Sequence, residues 1–203
     1  KNTNWEGGYR VPAVVRWPGH VEPRSEFNQI FSHEDWLPTL LAAAGEPDIK
    51  AKLLEGYAAG DATFRVHIDG YDQSAALADP EAEDPRRSFF YWTDDGDLAG
   101  LRYDQYKAVF MEQQSHGLEV WVQPLVPLRA PKIFNIRSDP FERAEIEAGG
   151  YVRWFVDHMF VLLPAQQIVA EHLATFQEFP PRQRPGSFSI DKVMEMLMEA
   201  NNN

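Results

Sequence analysis

The apolar residues near the start of the chain form one continuous run and then one helical pattern. Val11 to Trp17 is apolar and β-branched almost throughout, which predicts a strand buried on both faces of a helix-covered parallel sheet. Trp36 to Ala44 then places apolar residues at helical spacing. Ser32 and Asp35 precede this segment like a capping box, and Gly45 follows as a helix-ending residue. We predict a helix of about three turns here.

The next segment is irregular until a polar stretch divides the chain. Residues 45–61 are rich in Ala and Gly and predict no regular element, whereas Phe64 to Ile68 alternates and predicts a short strand. Asp79 to Pro85 is polar and carries a proline near each end, which is typical of a boundary. We therefore predict two regions, residues 1–79 and residues 80–203.

Beyond this boundary the pattern changes to short β-rich runs. Three of them follow one another closely: Ser88 to Thr93, Leu98 to Tyr103 and Tyr106 to Met111. Their short polar connections favour antiparallel neighbours, and Lys132 to Ile136 predicts a fourth strand. Gln113 to Pro131 predicts a loop because prolines recur in it, with a strand at Glu119 to Val122 as an alternative within it.

The last part of the chain is helical in pattern. Tyr151 to Leu163 is apolar on most sides, and Pro164 predicts an interruption or kink. Residues 168–176 continue at three- and four-residue steps until the prolines at 180 and 181. Ser189 then predicts the cap of a final helix through Leu197.

Composition narrows the classes of function. The 203 residues carry 19 Lys plus Arg against 31 Asp plus Glu, a formal net charge of −12. Nucleic acid and anionic membrane surfaces are therefore not expected as partners, because both require clustered positive charge. There are no cysteines, which excludes disulfides, thiolate metal sites and a cysteine nucleophile within these residues. The longest apolar runs are far shorter than the roughly 20 residues that span a bilayer.

Several local clusters could be metal or ligand sites, but a structural role is favoured for each. His33, Glu34 and Asp35 lie at a helix start and point in different directions, which favours capping over a metal site. His67 and Asp69 supply only two potential ligands. Asp94 to Asp97 lacks the spacing of an EF-hand loop and predicts a turn. Phe89 to Trp92 alternates across a strand, which favours packing over a ligand platform. No metal ligand and no catalytic residue is predicted in this chain.

The opening residues carry the most specific motif. Lys1 to Ala13 reads Lys-Asn-Thr-Asn-Trp-Glu-Gly-Gly-Tyr-Arg-Val-Pro-Ala and resembles the Lys-Gly-Thr-x-x-Glu-Gly-Gly-x-Arg-x-Pro segment of the sulfatase family. That resemblance implies that Lys1 contacts the sulfate group of a substrate, since a compact ammonium can neutralise charge on anionic oxygens. It also implies a scaffold role for Glu6 and Arg10 as a pair, and a tight backbone path at Gly7 and Gly8.

Other family-like segments follow in family order over most of the chain. They are Ser32 to Leu41 with Gly45, resembling an Asp-x-x-Pro-Thr-Leu-Leu helix; Val66 to Asp72, resembling an Asp-Gly step; Phe134 to Glu142, resembling a Leu-x-x-Asp-Pro-x-Glu turn; and Phe176 to Phe188, resembling the tail of bacterial arylsulfatases. Each is weak alone, and their ordered occurrence identifies the chain as similar to the carboxy-terminal part of a sulfatase.

The resemblance implies a parent protein with an alkaline-phosphatase-like α/β fold that hydrolyses sulfate esters with formylglycine and calcium. This chain is then α+β: the end of the large sheet, followed by a small four-stranded antiparallel sheet with C-terminal helices. Two departures stand out. Asn2 replaces a frequent Gly, and the Cys/Ser-x-Pro-x-Arg segment that becomes formylglycine is absent from these residues, as are the calcium ligands. The chain alone is expected to be inactive.

Two other functions stay open at this point. One is a related phospho- or phosphonate ester hydrolase. The other is a non-catalytic module, in which residues 113–131 and the Gly96 hairpin shape a substrate entrance or an oligomer contact. The expected partner is a sulfate-ester small molecule, with a second copy of the chain as an alternative, because an unpaired strand at Val11 to Trp17 would expose apolar faces.

Overall fold

The computed structural model describes residues 2–79, 81–182, 186, 194 and 198. Short helices and one hairpin make up the first part of the chain. In order they are α1 (Glu6–Tyr9), a 3-10 helix (His33–Asp35), α2 (Trp36–Ala43), α3 (Ile49–Glu55), the strands β1 (Tyr57–Ala59) and β2 (Ala62–Phe64), and α4 (Ser74–Ala78).

The second part forms a sheet and the helices that cover it. Its elements are β3 (Ser88–Trp92), β4 (Leu98–Tyr103), β5 (Tyr106–Glu112), a 3-10 helix (Gly117–Trp121), β6 (Val126–Asn135), α5 (Ala144–Glu147), α6 (Tyr151–Asp157), a 3-10 helix (Met159–Val161) and α7 (Leu162–Glu178). The strands pair antiparallel in the order β3-β4-β5-β6. This confirms the predicted four-stranded antiparallel sheet with C-terminal helices.

Alternation along the strands gives the sheet two different faces. Leu101 and Ala108 are completely buried and pack against Ala165 of α7. Their strand neighbours point the other way, where Val109 and Phe134 pack with Tyr151 of α6 and with Trp5 of the amino-terminal segment. Because side chains alternate with a period of two, one face holds α7 and the other holds the start of the chain.

The predicted capping box and helix are confirmed. Ser32 accepts a hydrogen bond from the backbone N–H of Glu34 at 3.3 Å, while Asp35 accepts from the N–H of Ser32 at 2.8 Å. Gly45 adopts φ +98°, which is the left-handed conformation that ends helices with a glycine. His33, Glu34 and Asp35 therefore start a helix, as predicted.

The predicted buried strand at Val11 to Trp17 is wrong. These residues form no strand, and the Val14 side chain is 97% exposed. A buried strand needs hydrogen-bonded neighbours and apolar layers on both faces, and the described residues provide neither at this segment. The β-branched residues favour an extended strand, but no neighbouring strand among the described residues pairs with them.

Two predictions about residues 45–68 also need correction. Residues 45–61, predicted to be irregular, contain α3 and β1. The strand β1 pairs with β2, which lies at Ala62–Phe64 rather than at Phe64 to Ile68. The hairpin turns at Gly60 with φ +60°. Three-residue strands are too short to show the alternation on which the prediction relied.

The predicted loop after β5 is shorter than expected. Glu119 to Val122 is not a strand, because Gly117–Trp121 forms a 3-10 helix, and β6 begins at Val126 rather than at Lys132. β6 is an edge strand, where proline is tolerated because one row of N–H groups has no ladder partner. A register shift between Val109 and Met111 accommodates the extension.

Pro164 does not kink a helix. The interruption lies at His158 and in the 3-10 helix that follows, and α7 begins at Leu162. Pro164 therefore occupies the first turn of α7, where the missing N–H has no intrahelical partner to lose.

Met194 and Met198 are helical, whereas Ser189 and the other residues of the predicted final helix lie outside the described residues. The division between residues 1–79 and 80–203 stays a prediction. Among the residues that the structure describes, no helix is long and apolar enough to cross a membrane.

A buried ion pair joins the capped helix to the sheet. Asp35 is fully buried, and its carboxylate accepts from Arg86 Nε at 2.8 Å and from Arg86 Nη2 at 2.7 Å. The same carboxylate accepts the backbone N–H of Tyr71 at 2.8 Å. Gly70 lies so close to this helix start that a Cβ would stand 2.1 Å from the Glu34 carbonyl oxygen, which explains the Asp-Gly step in the sequence.

We predict that Arg86→Met lowers the free energy of unfolding by about 3–5 kcal/mol, because it leaves a buried carboxylate without its cation. Its neighbour Arg87 is a matched control, since it pairs with Asp104 at the surface. Arg87→Met should leave the stability nearly unchanged, because exposed pairs contribute little. Urea unfolding monitored by circular dichroism measures both, and equal losses in the two variants would contradict the assignment.

Candidate functional site

The predicted sulfate-contacting residue, Lys1, lies outside the described residues. The segment that follows it, from Asn2 to Arg10, is described and lies across the face of the sheet opposite α7. The structure therefore shows how the backbone next to Lys1 is held.

Two asparagines anchor the beginning of this segment. The Asn4 side chain is buried and donates to the carbonyl oxygens of Ala99 at 3.2 Å and Met111 at 2.6 Å. The Asn2 side chain donates to the carbonyl oxygen of Val120. Asn2 adopts φ +60°, a left-handed conformation that favours glycine and is tolerated by asparagine. This backbone geometry is compatible with both Asn2 and the Gly that is frequent in the family.

A fully buried lysine of β5 holds the middle of the segment. Lys107 Nζ donates to the Asn4 carbonyl oxygen at 2.5 Å and lies 3.2 Å from Glu6 Oε1. It also lies 2.7 Å from Glu142 Oε1 and 4.1 Å from the centroid of the Tyr91 ring. Its cationic head is thus surrounded by two carboxylates, a carbonyl oxygen and an aromatic face, which together replace the hydration it loses.

Glu142 completes this arrangement from a distant turn. Its Oε2 accepts the backbone N–H of Glu6 at 2.6 Å, while its other oxygen faces Lys107. Burial raises the pKa of the Glu142 carboxyl, and Lys107 opposes that rise by stabilising the carboxylate. Two of the family-like segments, the opening motif and the Asp-Pro-Phe-Glu turn, therefore touch each other directly.

Glu6 is a scaffold residue, as expected, but Arg10 is a minor partner. Arg10 Nε lies 3.9 Å from Glu6 Oε2, and the Arg10 side chain is largely exposed. The closer partners of Glu6 are Lys107, Arg102, whose Nη1 lies 3.5 Å from Glu6 Oε2, and the hydroxyl of Tyr91, which donates to the Glu6 carboxylate. Burial, followed by the charge of Glu6, raises the pKa of Tyr91 well above its ordinary value. Tyr91 is therefore a neutral hydrogen-bond donor here.

The predicted tight path at the glycines holds at Gly8. A Cβ on Gly8 would stand 2.8 Å from Thr3 Oγ1 and 3.0 Å from the Thr3 carbonyl oxygen. Any larger residue would push the chain start away from the sheet, because backbone atoms cannot yield as a flexible side chain can.

A cavity of about 310 Å³ opens beside this segment. One wall is the start of the chain, from Asn2 to Tyr9, and the other is formed by the Gly96 hairpin and the residues after β5. The lining residues are Asn2, Thr3, Asn4, Gly8, Tyr9, Trp92, Thr93, Asp94, Ala99, Trp121 and Leu125. The Tyr9 hydroxyl donates to the Trp92 carbonyl oxygen at 2.8 Å, and burial and Asp94 raise the pKa of Tyr9. The cavity thus combines aromatic walls with polar atoms next to the position that follows Lys1.

His67 and Asp69 lie together but away from this cavity. His67 Nδ1 is 3.3 Å from Asp69 Oδ1, and His172 of α7 approaches the same oxygen at 3.9 Å. Burial lowers the pKa of His172. Within residues 2–79 and 81–182, no group of three or more His, Asp or Glu side chains is arranged to hold a metal ion. Asp94 to Asp97 forms the turn between β3 and β4, as predicted.

The sequence reading did not find the residues that hold the segment: Asn4, Tyr91, Lys107 and Glu142. One signal was present in the sequence, since Lys107 precedes the apolar run Ala108 to Met111 in β5, where an unpaired buried charge would be costly. Its partners lie 101 and 35 residues away along the chain. No spacing rule connects residues at such separations.

Comparison with known proteins agrees with this architecture. The family described as the C-terminal region of aryl-sulfatase matches residues 84–200, and the sulfatase family matches residues 1–46. Arylsulfatase A of Homo sapiens is 28% identical over 90% of this chain and 34% of its own length. Steryl-sulfatase of Rattus norvegicus is 28% identical over 89% of this chain and 31% of its own length. The chain thus spans about a third of the length of the relatives it matches.

A solved structure extends the likeness to the fold. The PsFucS1 sulfatase from Pseudoalteromonas sp. superposes with a TM-score of 0.68 at 25% identity, over 89% of this chain and 32% of that one. The sheet with its helices is therefore a C-terminal portion of the alkaline-phosphatase-like fold that sulfatases share. The chain belongs to the family of the C-terminal region of aryl-sulfatase.

We predict that Lys107→Met lowers the free energy of unfolding at pH 7 by about 3–5 kcal/mol, because the buried Glu142 carboxylate loses its cation while Glu6 keeps only the longer cationic contacts to Arg102 and Arg10. The Glu142 pKa, already raised, should rise further. A carboxyl pKa that is raised in the folded state stabilises the fold at low pH, and this contribution is lost as pH rises through the folded-state pKa. The stability lost in Lys107→Met should therefore become smaller as pH falls toward the usual carboxyl range.

Lys132→Met is the control for this experiment. Lys132 also pairs with two carboxylates, Glu112 and Glu145, but its side chain is 21% exposed rather than buried. We expect a smaller loss, because water can replace the missing cation. Urea unfolding between pH 5 and pH 8 measures both variants. A deficit for Lys107→Met that is independent of pH would contradict the role of Glu142.

Proposed function

We propose that this chain is the C-terminal part of a sulfuric ester hydrolase of the arylsulfatase type, in which Lys1 contacts the sulfate group. The observation that carries the proposal is the fixed segment behind Lys1: Asn4 and Glu6 are tied to the sheet through buried contacts. An ammonium carried next to a fixed backbone can be held at the place where negative charge develops.

The relatives support the reaction class. They are named arylsulfatases and a steryl-sulfatase, and both family segments occur in family order. Formylglycine and calcium belong to the proposal for the parent protein. This chain has no cysteine, and its described residues contain no group of three His, Asp or Glu side chains arranged to hold a metal ion. The contribution proposed for this chain is one substrate contact and the scaffold that positions it.

We predict that Lys1→Ala, made in the protein that contains this chain with the rest of the sulfatase domain, lowers kcat/KM for an aryl sulfate by about a hundredfold. The reason is that a preorganised charge near a developing anion contributes several kcal/mol. Lys1→Arg should retain part of the activity, because it keeps the charge. Unchanged hydrolysis by Lys1→Ala would refute the substrate contact.

The isolated 203-residue chain should show no hydrolysis of the same aryl sulfate, with or without added calcium. Our proposal assigns the nucleophile to the parent protein. Metal-dependent turnover by the purified chain would show that residues of this chain carry the reaction, and the proposed division of roles would then fail.

The cavity favours a second role, in which the small sheet shapes the substrate entrance. The wall that faces the start of the chain comes from the two segments that the sequence analysis suggests for this role, the Gly96 hairpin and residues 113–131. Trp121 lines the cavity and is 65% exposed. An exposed aromatic side chain beside a cavity suits the flat apolar part of a sulfate ester.

We predict that Trp121→Ala changes substrate preference. In the complete enzyme the ratio of kcat/KM for a bulky aromatic ester to that for a small alkyl ester should fall by about tenfold, the usual effect of removing apolar pocket contacts. Leu118→Ala is the control, since Leu118 is 85% exposed in the same 3-10 helix and does not line the cavity. An equal ratio in both variants would reject the entrance role.

A further inference from the structure

Glu142 has an unusual backbone for a buried acidic residue. It adopts φ +55° and is 7% exposed. Left-handed backbone is costly for a residue with a long side chain, and such conformations persist where surrounding contacts require them. Here the turn is held by Asp139, whose carboxylate accepts the N–H of Arg143 at 3.0 Å and of Ala144 at 2.8 Å.

This conformation directs the carboxylate onto the opening segment. One oxygen accepts the backbone N–H of Glu6 at 2.6 Å, and the other lies 2.7 Å from Lys107 Nζ. Lys107 in turn holds the carbonyl oxygen of Asn4 at 2.5 Å. The two contacts bind the N–H of Glu6 and the C=O of Asn4, so they fix the path of the backbone independently of the side chains of this segment.

We propose that Glu142 is a positioning residue for Lys1, acting through the Glu6 amide and through Lys107. The inference rests on the proposed function, because it requires Lys1 to contact substrate. Glu142 itself touches no reacting group. Its effect on catalysis is therefore transmitted entirely through the backbone that precedes Glu6.

The alternative is that Glu142 only stabilises the fold. A residue that acts through Lys1 becomes silent when Lys1 is removed, whereas a stabilising residue weakens the enzyme equally in either background. A double-mutant cycle between Lys1 and Glu142 separates the two, provided that each variant is folded at the temperature of the assay.

The experiment uses the complete enzyme and the variants Lys1→Ala, Glu142→Ala and the double variant. We expect Glu142→Ala alone to lower kcat/KM for an aryl sulfate by about tenfold or more, since small misplacements of a positioned group are costly. In the Lys1→Ala background the same change should cost less than about twofold. Losses that multiply in the double variant overturn the proposal.

Two further variants keep the test decisive. Glu142→Gln retains a carbonyl oxygen that can accept the Glu6 N–H, so its kcat/KM should be at least about threefold higher than that of Glu142→Ala. Equal kcat/KM values in the two variants overturn the contact through the Glu6 amide. Glu142→Gln also replaces Glu142→Ala in the cycle if the alanine variant does not fold. Arg24→Gly, at an exposed left-handed position with φ +67°, is the control and should leave kcat/KM unchanged.

The failure of this inference is distinguishable from failure of the proposed function. If Lys1→Ala leaves kcat/KM unchanged, the sulfate contact fails and the positioning role falls with it. If Lys1→Ala lowers kcat/KM but Glu142→Ala does not, only the positioning role is rejected.

Discussion

The ammonium of Lys107 organises the amino-terminal segment of this chain, from Asn2 to Arg10. It lies fully buried at the centre of the sheet, where an unpaired charge would be prohibitively costly. Two carboxylates and a carbonyl oxygen surround it, and they come from residues 4–6 and from Glu142. Because the charge must be compensated, residues 4–6 and the turn that carries Glu142 must both contact Lys107 of β5. The fixed course of the chain start follows from that requirement.

The Asp35–Arg86 pair has a comparable effect at the start of α2. It joins the capped start of α2 to the segment that leads into β3, and it ties in the backbone of Tyr71. In both cases a buried ion pair links segments that the apolar core alone does not specify. Removing both partners together need not destabilise the chain, whereas removing one leaves a charge that nothing compensates. Such pairs favour one arrangement over similar alternatives.

Most of the opening motif serves the scaffold and not an active site. Its glutamate belongs to the scaffold, and Gly8 is required because Thr3 lies against it. The Asp-Pro-Phe-Glu turn looks like a separate surface feature in the sequence, yet it supplies the carboxylate that holds the Glu6 amide. Two motifs of the family are thus one physical unit, in which a single residue, Lys1, is proposed to touch substrate.

The sequence by itself determined the elements whose signals are local. The β-hairpins of the sheet follow from alternation and turn residues, the start of α2 follows from its capping box, and family membership follows from the order of the motifs. The buried strand predicted at Val11 to Trp17 does not form, because such a strand depends on neighbouring strands and the described residues offer none. Only the tertiary structure decided which charges are buried together, since Glu6, Lys107 and Glu142 are brought into contact by the antiparallel sheet and not by any spacing along the chain.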